Sequence, residues 1–168
     1  MSTLKVDNIA NTAGVTTQRV LQVAQSELTT TFTNSSATWQ DTGLSVSITP
    51  SSSSSKFLIQ WTIPNGNVVG TASNGFNLVR NGTNIAQGTG GTYNLTSSND
   101  SGGAPHFGIN SFVYLDSPTT TSAITYKVQM KNQSGCTGYI NRTNSFNGGS
   151  DVYQSCTISS LVVMEIAG

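Results

Sequence analysis

The stretch FNLVRNGTNIAQ, residues 76–87, predicts a β-hairpin whose two strands are joined by Asn81 and Gly82. Asn-Gly is the preferred pair for a two-residue type I′ turn, because both of its positions need a positive φ. A turn at this point places Leu78 opposite Ile85, so that apolar side chains meet across the hairpin. The fold is therefore expected to contain antiparallel strands that are joined by tight turns.

Several other segments alternate between apolar and polar residues with a period of two. ITYKVQMK (124–131) has Ile, Tyr, Val and Met on one face, and LSVSIT (44–49) and FLIQWTI (57–63) follow the same pattern. Such alternation is typical of a strand with one buried face. The closing run CTISSLVVMEI (156–166) becomes apolar on both faces, which predicts a strand that lies centrally or against a partner.

Segments rich in Gly, Asn, Ser and Pro separate these runs, and no segment shows helical periodicity with caps. We expect about eight to ten antiparallel strands. The fold class is therefore predicted as all-β, an antiparallel two-sheet jelly-roll-like sandwich rather than a seven-stranded immunoglobulin-type sandwich. A boundary near Arg19 divides the chain into a short extended N-terminal segment (1–19) and a β-sandwich domain (20–168).

The composition excludes several classes of partner. The chain has 7 Lys and Arg against 7 Asp and Glu, and its polar residues are mainly 24 Ser and 24 Thr. Without a basic cluster, nucleic acid is not an expected partner. No apolar run is long enough for membrane insertion, and no secretory signal is recognised. Cys136 and Cys156 are expected to stay reduced in a cytosol, although a disulfide between them remains open. Neither a metal site nor a cofactor is expected.

The residues do not nominate an active site, so the chain is predicted not to be an enzyme. The seven acidic residues are scattered, and a glycan depolymerase would need a carboxylate pair. Recognition is the remaining class of function. The long loop 88–107 is the candidate ligand-binding region, because aromatic rings and amides suit sugars and protein contacts. Its candidate residues are Tyr93, Asn94, Asn99, Asp100 and His106.

Longer blocks of the sequence resemble the C-terminal head domain of phage tail-fibre and virion structural proteins, of the type found in marine and cyanobacterial phages. The blocks that carry this resemblance are STLKVDNI (2–9), TWQDTGLSVSITPSSSSSKFLIQ (38–60), FNLVRNGTNIAQG (76–88), VYLDSPTTTSAITYKVQM (113–130), YINRTNS (139–145) and ISSLVVMEIAG (158–168). The family has no catalytic residues or consensus sugar ligands to transfer to this chain.

The resemblance implies a compact head, similar to tumour-necrosis-factor-like heads, that assembles as a homotrimer. Residues 1–19 are expected to attach it to another virion protein, with Leu4, Val6 and Ile9 added as a strand to a neighbouring sheet. Leu161 and Val163 of the final strand are the expected trimer interface.

The expected location is the virion, assembled in the host cytoplasm, and the expected role is binding a host surface glycan or protein. Two alternatives remain open: a capsid decoration protein that stabilises the shell, and a free lectin-like glycan-binding module.

Overall fold

The computed structural model describes residues 19–67, 73–91, 94–100, 106–144 and 156–168. Within these ranges the chain forms eleven β-strands in two antiparallel sheets, and no helix there is long and apolar enough to cross a membrane. In chain order the strands are β1 (Val20–Leu28), β2 (Phe32–Asn34), β3 (Gln40–Ile48), β4 (Lys56–Asn67), β5 (Ser73–Arg80), β6 (Thr83–Ile85), β7 (Ser97–Asp100), β8 (His106–Asp116), β9 (Ile124–Asn132), β10 (Gly138–Ile140) and β11 (Ser159–Ile166).

The predicted fold class is confirmed, because the strands form a two-layer antiparallel sandwich. The first sheet has the order β1-β11-β4-β10-β2, with β8 along the other edge of β4, and the second has the order β3-β9-β5-β6, with β7 also on β5. The chain passes between the sheets six times, from β2 to β3, β3 to β4, β4 to β5, β7 to β8, β8 to β9 and β9 to β10, as is typical of a jelly roll. The eleven strands exceed the expected eight to ten because β2 and β10 are three-residue pieces, too short to show alternation, and β7 is a four-residue polar strand.

The core lies between the sheets and consists of the apolar faces that the alternating segments predict. β4 contributes Phe57, Ile59, Trp61 and Ile63, and β9 contributes Ile124, Tyr126, Val128 and Met130, all of them fully buried. Each large side chain removed from water in this way contributes about 1.5–3 kcal/mol. The indole of Trp61 also keeps a polar partner, since its Nε1 donates to Asn110 Oδ1 over 2.9 Å.

The predicted hairpin at 76–87 is confirmed. Leu78 pairs with Ile85 across β5 and β6. The turn residues Asn81 and Gly82 have φ values of 48° and 85°, as a type I′ turn requires.

The final strand is central, but the predicted interface residues on it are wrong. β11 lies between β1 and β4, and both Leu161 and Val163 are fully buried in the core of the same chain. They therefore cannot contact another copy of the folded chain. Val162 and Met164 occupy the opposite face of the strand and are only half-buried.

The start of β1 and the end of β11 lie together at one end of the sandwich, where the Ala167 amide donates to the Arg19 carbonyl over 2.8 Å. Ile166 pairs with Lys56, and Phe57 with Asp116, so loops 49–55 and 117–123 lie at this same end. We call it the terminal end. β1 begins at Val20, and the predicted attachment residues Leu4, Val6 and Ile9 lie in 1–18, outside the described residues.

Candidate functional site

The two outer faces of the sandwich differ sharply in polarity. On the second sheet, Asp41 accepts hydrogen bonds from Lys127 Nζ at 2.8 Å and Gln129 Nε2 at 2.7 Å. The bond from Lys127 is the main reason that the pKa of Asp41 lies below its usual value. On the same face, the hydroxyl groups of Ser47 and Thr125 form a hydrogen bond of 2.9 Å. This surface is polar and internally paired, so it suits contact with water.

The outer surface of the first sheet carries exposed large apolar side chains. On β8 they reach 69% exposure at Ile109 and 56% at Val113. The strand registers place four apolar residues in one row across four strands, namely Val23, Met164, Leu58 and Leu115. We call this surface the apolar face; its most exposed members are Val20, Leu21, Val23, Phe107, Ile109, Val113 and Leu115. The next rows are mixed or polar, because Val113 lies beside Gln60, and the row Glu27, Ser160, Thr62 and Ser111 has no apolar member. Exposed apolar side chains grouped in this way are typical of an interaction surface.

The predicted ligand-binding loop 88–107 is not one loop. β7 interrupts it by pairing with β5, and β8 begins at His106. Asn94 lies in the segment before β7, and Asp100 ends β7. Asn99 is half-buried within β7, where its Nδ2 donates to Asn65 Oδ1 over 3.3 Å. Tyr93 lies outside the described residues. β7 was missed because SSND has no apolar alternation and forms a strand only through the edge that β5 offers.

A cleft of about 510 Å³ opens beside the second sheet, at the end of β9 remote from the terminal end. We call it the Lys131 cleft. Lys131 Nζ lies 5.3 Å from the ring centroid of the half-buried Trp39. The cleft is lined by Ala37, Ser73, Gly75, Leu95, Lys131, Asn132, Gln133 and Ser134.

One wall of the cleft is the segment between β6 and β7, which is held firmly on the sheet. The Gly88 amide donates to the Leu95 carbonyl over 2.9 Å, and Gln87 Nε2 donates to the Asn94 carbonyl over 2.7 Å. The Leu95 side chain lies only 3.1 Å from the position that a Cβ on Gly75 would occupy. The absence of a side chain at Gly75 therefore lets Leu95 rest directly on β5.

The opposite walls are also fixed by backbone hydrogen bonds. The Gln133 amide donates to the Ser73 carbonyl over 3.2 Å, and the Asn132 amide donates to the Ser36 carbonyl over 3.0 Å. The cleft is thus formed by four separate stretches of chain, around residues 37, 74, 95 and 132, that backbone hydrogen bonds hold together. A largely pre-formed concave surface is what small-ligand sites commonly show.

Buried asparagines hold the sandwich together at this end. Asn34 Nδ2 donates to the Met130 carbonyl over 3.0 Å, and Asn132 Nδ2 donates to the Asn34 carbonyl. A Cβ on Gly138 would lie 2.5 Å from both Asn74 Oδ1 and Asn132 Oδ1, two buried oxygens without a hydrogen-bond partner. The absence of a side chain at Gly138 therefore lets β10 lie close against Asn74 and Asn132 of the second sheet.

The two buried acidic groups among the described residues have structural partners. Asp116 accepts two hydrogen bonds from Arg80 and one from Tyr126, and Glu165 accepts bonds from Gln22 and Ser51. Burial, followed by the bond to Asp116, raises the pKa of Tyr126. Among the described residues no group of three or more His, Cys, Asp or Glu could hold a metal ion. Cys136 and Cys156 are both free thiols, so the disulfide left open by the sequence is not formed.

Comparisons with known proteins add no family to this description. No protein-family model matches the chain, and no curated protein matches it.

Sequence reasoning missed both surfaces. The apolar face has a local signal, because HFGINSFVYLD (106–116) places Phe107, Ile109, Val113 and Leu115 at alternate positions. The Lys131 cleft has no local sequence signal, because its walls come from four stretches that are distant in the sequence, near residues 37, 74, 95 and 132.

Proposed function

We propose that this chain is the head of a phage virion appendage, which assembles as a homotrimer through its apolar face and binds the host cell surface. The observation that supports the assembly is the contrast between the apolar outer face of the first sheet and the polar outer face of the second. The resemblance of the sequence to phage head domains supports the virion as its location.

The apolar face provides the interface that Leu161 and Val163 cannot. Leu115 on β8 lies beside Leu58 on β4, and Val113 lies beside Gln60, so a neighbouring copy would meet an apolar row next to a mixed one. Burial of apolar surface contributes about 25 cal/mol per Å². In addition β8 pairs only with β4 in the described part of the chain, which leaves its outer edge open to a neighbour.

The position of the chain ends supports a sandwich with two different ends, one that attaches to the virion and one that binds the host. In a cyclic trimer whose axis runs along the strands, three terminal ends lie together and the opposite loops lie together. Residues 1–19 then meet another virion protein at the terminal end. The remote end, which includes loops 35–39 and 133–137, faces the host, and three copies convert weak single-site binding into avidity.

The test is to place the protein on the particle and to ask whether it mediates adsorption. Electron microscopy of purified particles labelled with an antibody against residues 81–91 is expected to show label on an appendage, because most of these residues are exposed. The purified chain, added in excess, is expected to reduce adsorption of particles to their host.

Label spread over the capsid, together with unchanged adsorption, would instead establish the decoration protein. Absence of label from every particle, with glycan binding by the purified chain, would establish the lectin-like module.

A further inference from the structure

We propose that the two edges of the apolar face form the contact between neighbouring copies of the chain, with Val23 of one copy packed against Leu115 of the next. The proposal deepens the proposed function and rests on its homotrimer. It names the parts of the apolar face that meet, and it requires a contact between two different surfaces of each copy.

The most exposed apolar side chains of the apolar face lie on its two edge strands. β1 carries Val23 at 59% exposure, and β8 carries Leu115 at 48%. Between these strands, Met164 on β11 and Leu58 on β4 are already half-buried within the chain. Each copy therefore has two separate strips, which we call the β1 strip (Val20, Leu21 and Val23) and the β8 strip (Phe107, Ile109, Val113 and Leu115).

Two strips on opposite sides of one sheet suit a cyclic trimer. The interfaces of such a ring are heterologous, so one surface of each copy meets a different surface of the next copy. A single apolar patch would instead suit a twofold dimer, in which the same patch meets itself. With the β1 strip on one side and the β8 strip on the other, each copy offers one strip to each of its two neighbours.

The strand registers place Val23 and Leu115 at the same height along the strands. One row runs across four paired strands, through Val23, Met164, Leu58 and Leu115. A rotation about an axis that runs along the strands keeps each residue at its height. The threefold rotation therefore brings Val23 of one copy to the level of Leu115 of the next copy, and an apolar side chain meets an apolar side chain.

The charges of the two strands also permit this contact. Glu27 is the single charged residue of β1, and β8 has no Lys, Arg, Asp or Glu before Asp116 at its end. The registers put Glu27 at the level of Ser111, whose hydroxyl can donate a hydrogen bond to a carboxylate. No like charges would meet, and Glu27 would keep a polar neighbour.

The experiment is a charge swap in the full chain. Val23→Asp and Leu115→Lys each place an unpaired charge in the contact, so each should raise the concentration needed for half-assembly at least about tenfold. The double variant places opposite charges at one level on neighbouring copies, so it should lower that concentration about tenfold from either single variant. Analytical ultracentrifugation measures assembly, and circular dichroism measures the fold.

The recovery reports a contact between copies, because the two positions are too far apart within one copy. Val23 and Leu115 are separated by three strand spacings, about 14 Å, which is too long for an ion pair. The matched control is Val23→Asp combined with Ile109→Lys. Ile109 lies six residues before Leu115, about 20 Å away along β8, so this pair should not recover assembly.

The proposed contact is overturned if the unsubstituted chain is a trimer and the variant with both Val23→Asp and Leu115→Lys assembles no better than the single variants. It is also overturned if the control pair recovers assembly equally well. In both cases the homotrimer of the proposed function stands and only its arrangement is wrong. An unsubstituted chain that is monomeric or dimeric at high concentration overturns the homotrimer and this contact together.

Discussion

The phenol of Tyr126 donates a hydrogen bond of 2.7 Å to Oδ2 of Asp116, and this bond joins the two sheets near the terminal end. Arg80 Nη1 approaches both oxygens of the same carboxylate at 2.7 and 2.8 Å. The side chain of Asp116 is only 7% exposed, and these two partners satisfy its carboxylate oxygens in place of water. The three groups come from β5, β8 and β9, so they fix the position of the sheets relative to each other.

Loss of the Tyr126 hydroxyl or of the Asp116 carboxylate is expected to lower the free energy of unfolding, but by different amounts. Tyr126→Phe removes one hydrogen bond to a charged group and should cost about 1.5–3 kcal/mol. Asp116→Ala leaves Arg80 without its carboxylate and Tyr126 without an acceptor, so it should cost about 3–5 kcal/mol. Urea unfolding measures both values. Ser47→Ala, in an exposed pair, is the control and should stay within about 0.5 kcal/mol of the unsubstituted chain. If Tyr126→Phe and Ser47→Ala lower the free energy of unfolding equally, the hydrogen bond between Tyr126 and Asp116 does not stabilise the packing of the two sheets.

Glu165 should make the stability of the chain depend on acid pH. Burial alone would raise the pKa of Glu165, but the nearby Ser55 hydroxyl, together with the hydrogen bonds from Gln22 and Ser51, outweighs burial and lowers the pKa from the usual 4.5. A carboxyl group whose pKa is lower in the folded state contributes stability above its unfolded pKa and loses it as the pH falls through the folded value. The free energy of unfolding should therefore decrease as the pH falls below about 4.5.

Glu165→Gln is the variant that tests this dependence, because it keeps the shape of the side chain without the titration. Urea unfolding between pH 3 and pH 7 should show a shallower decrease for this variant than for the unsubstituted chain. Asp41→Asn is the comparison, since its carboxylate is half-exposed on the surface and screened by water. An identical pH profile for Glu165→Gln and the unsubstituted chain would contradict the prediction.

The strands with regular alternation were predictable because each one has a single buried face. Phe57, Ile59 and Trp61 faced the core as expected, and the turn at Asn81 and Gly82 followed from its need for positive φ. β7 was not predictable, because its four polar residues are held only by the edge of β5. A strand of this kind depends on its neighbour rather than on its own residues.

The two functional surfaces also depend on contacts between distant residues, which the sequence does not show. Leu161 and Val163 were expected to face another chain because both faces of β11 are apolar, but a sequence cannot tell which face meets the core. Lys131 looked like an ordinary outward residue of β9. Only the folded chain brings it beside Trp39 and the segment around Leu95.

The apolar face should control the oligomeric state. Ile109→Lys and Val113→Asp each place a charge where apolar surface would be buried, so each should convert the proposed trimer to monomer while the chain remains folded. Light scattering measures the mass, and circular dichroism measures the fold. Leu161→Ala is the contrasting variant, since it should lower the free energy of unfolding by about 2–5 kcal/mol without changing the interface directly. A chain that is already monomeric at high concentration would contradict the trimer.

Gly138 should be the least replaceable glycine of the described residues at the end remote from the termini. A Cβ on Gly138 would lie 2.4 Å from Met130 Cε and 2.5 Å from the oxygens of Asn74 and Asn132, so these three buried side chains would have to shift. Gly138→Ala is expected to cost about 1–3 kcal/mol, the usual range for overpacking, measured by thermal or urea unfolding. Gly88→Ala is the control, because a Cβ there would meet only the Leu95 carbonyl at 3.7 Å, an ordinary contact. If the two alanine variants unfold at the same urea concentration, the close packing at Gly138 does not limit the fold.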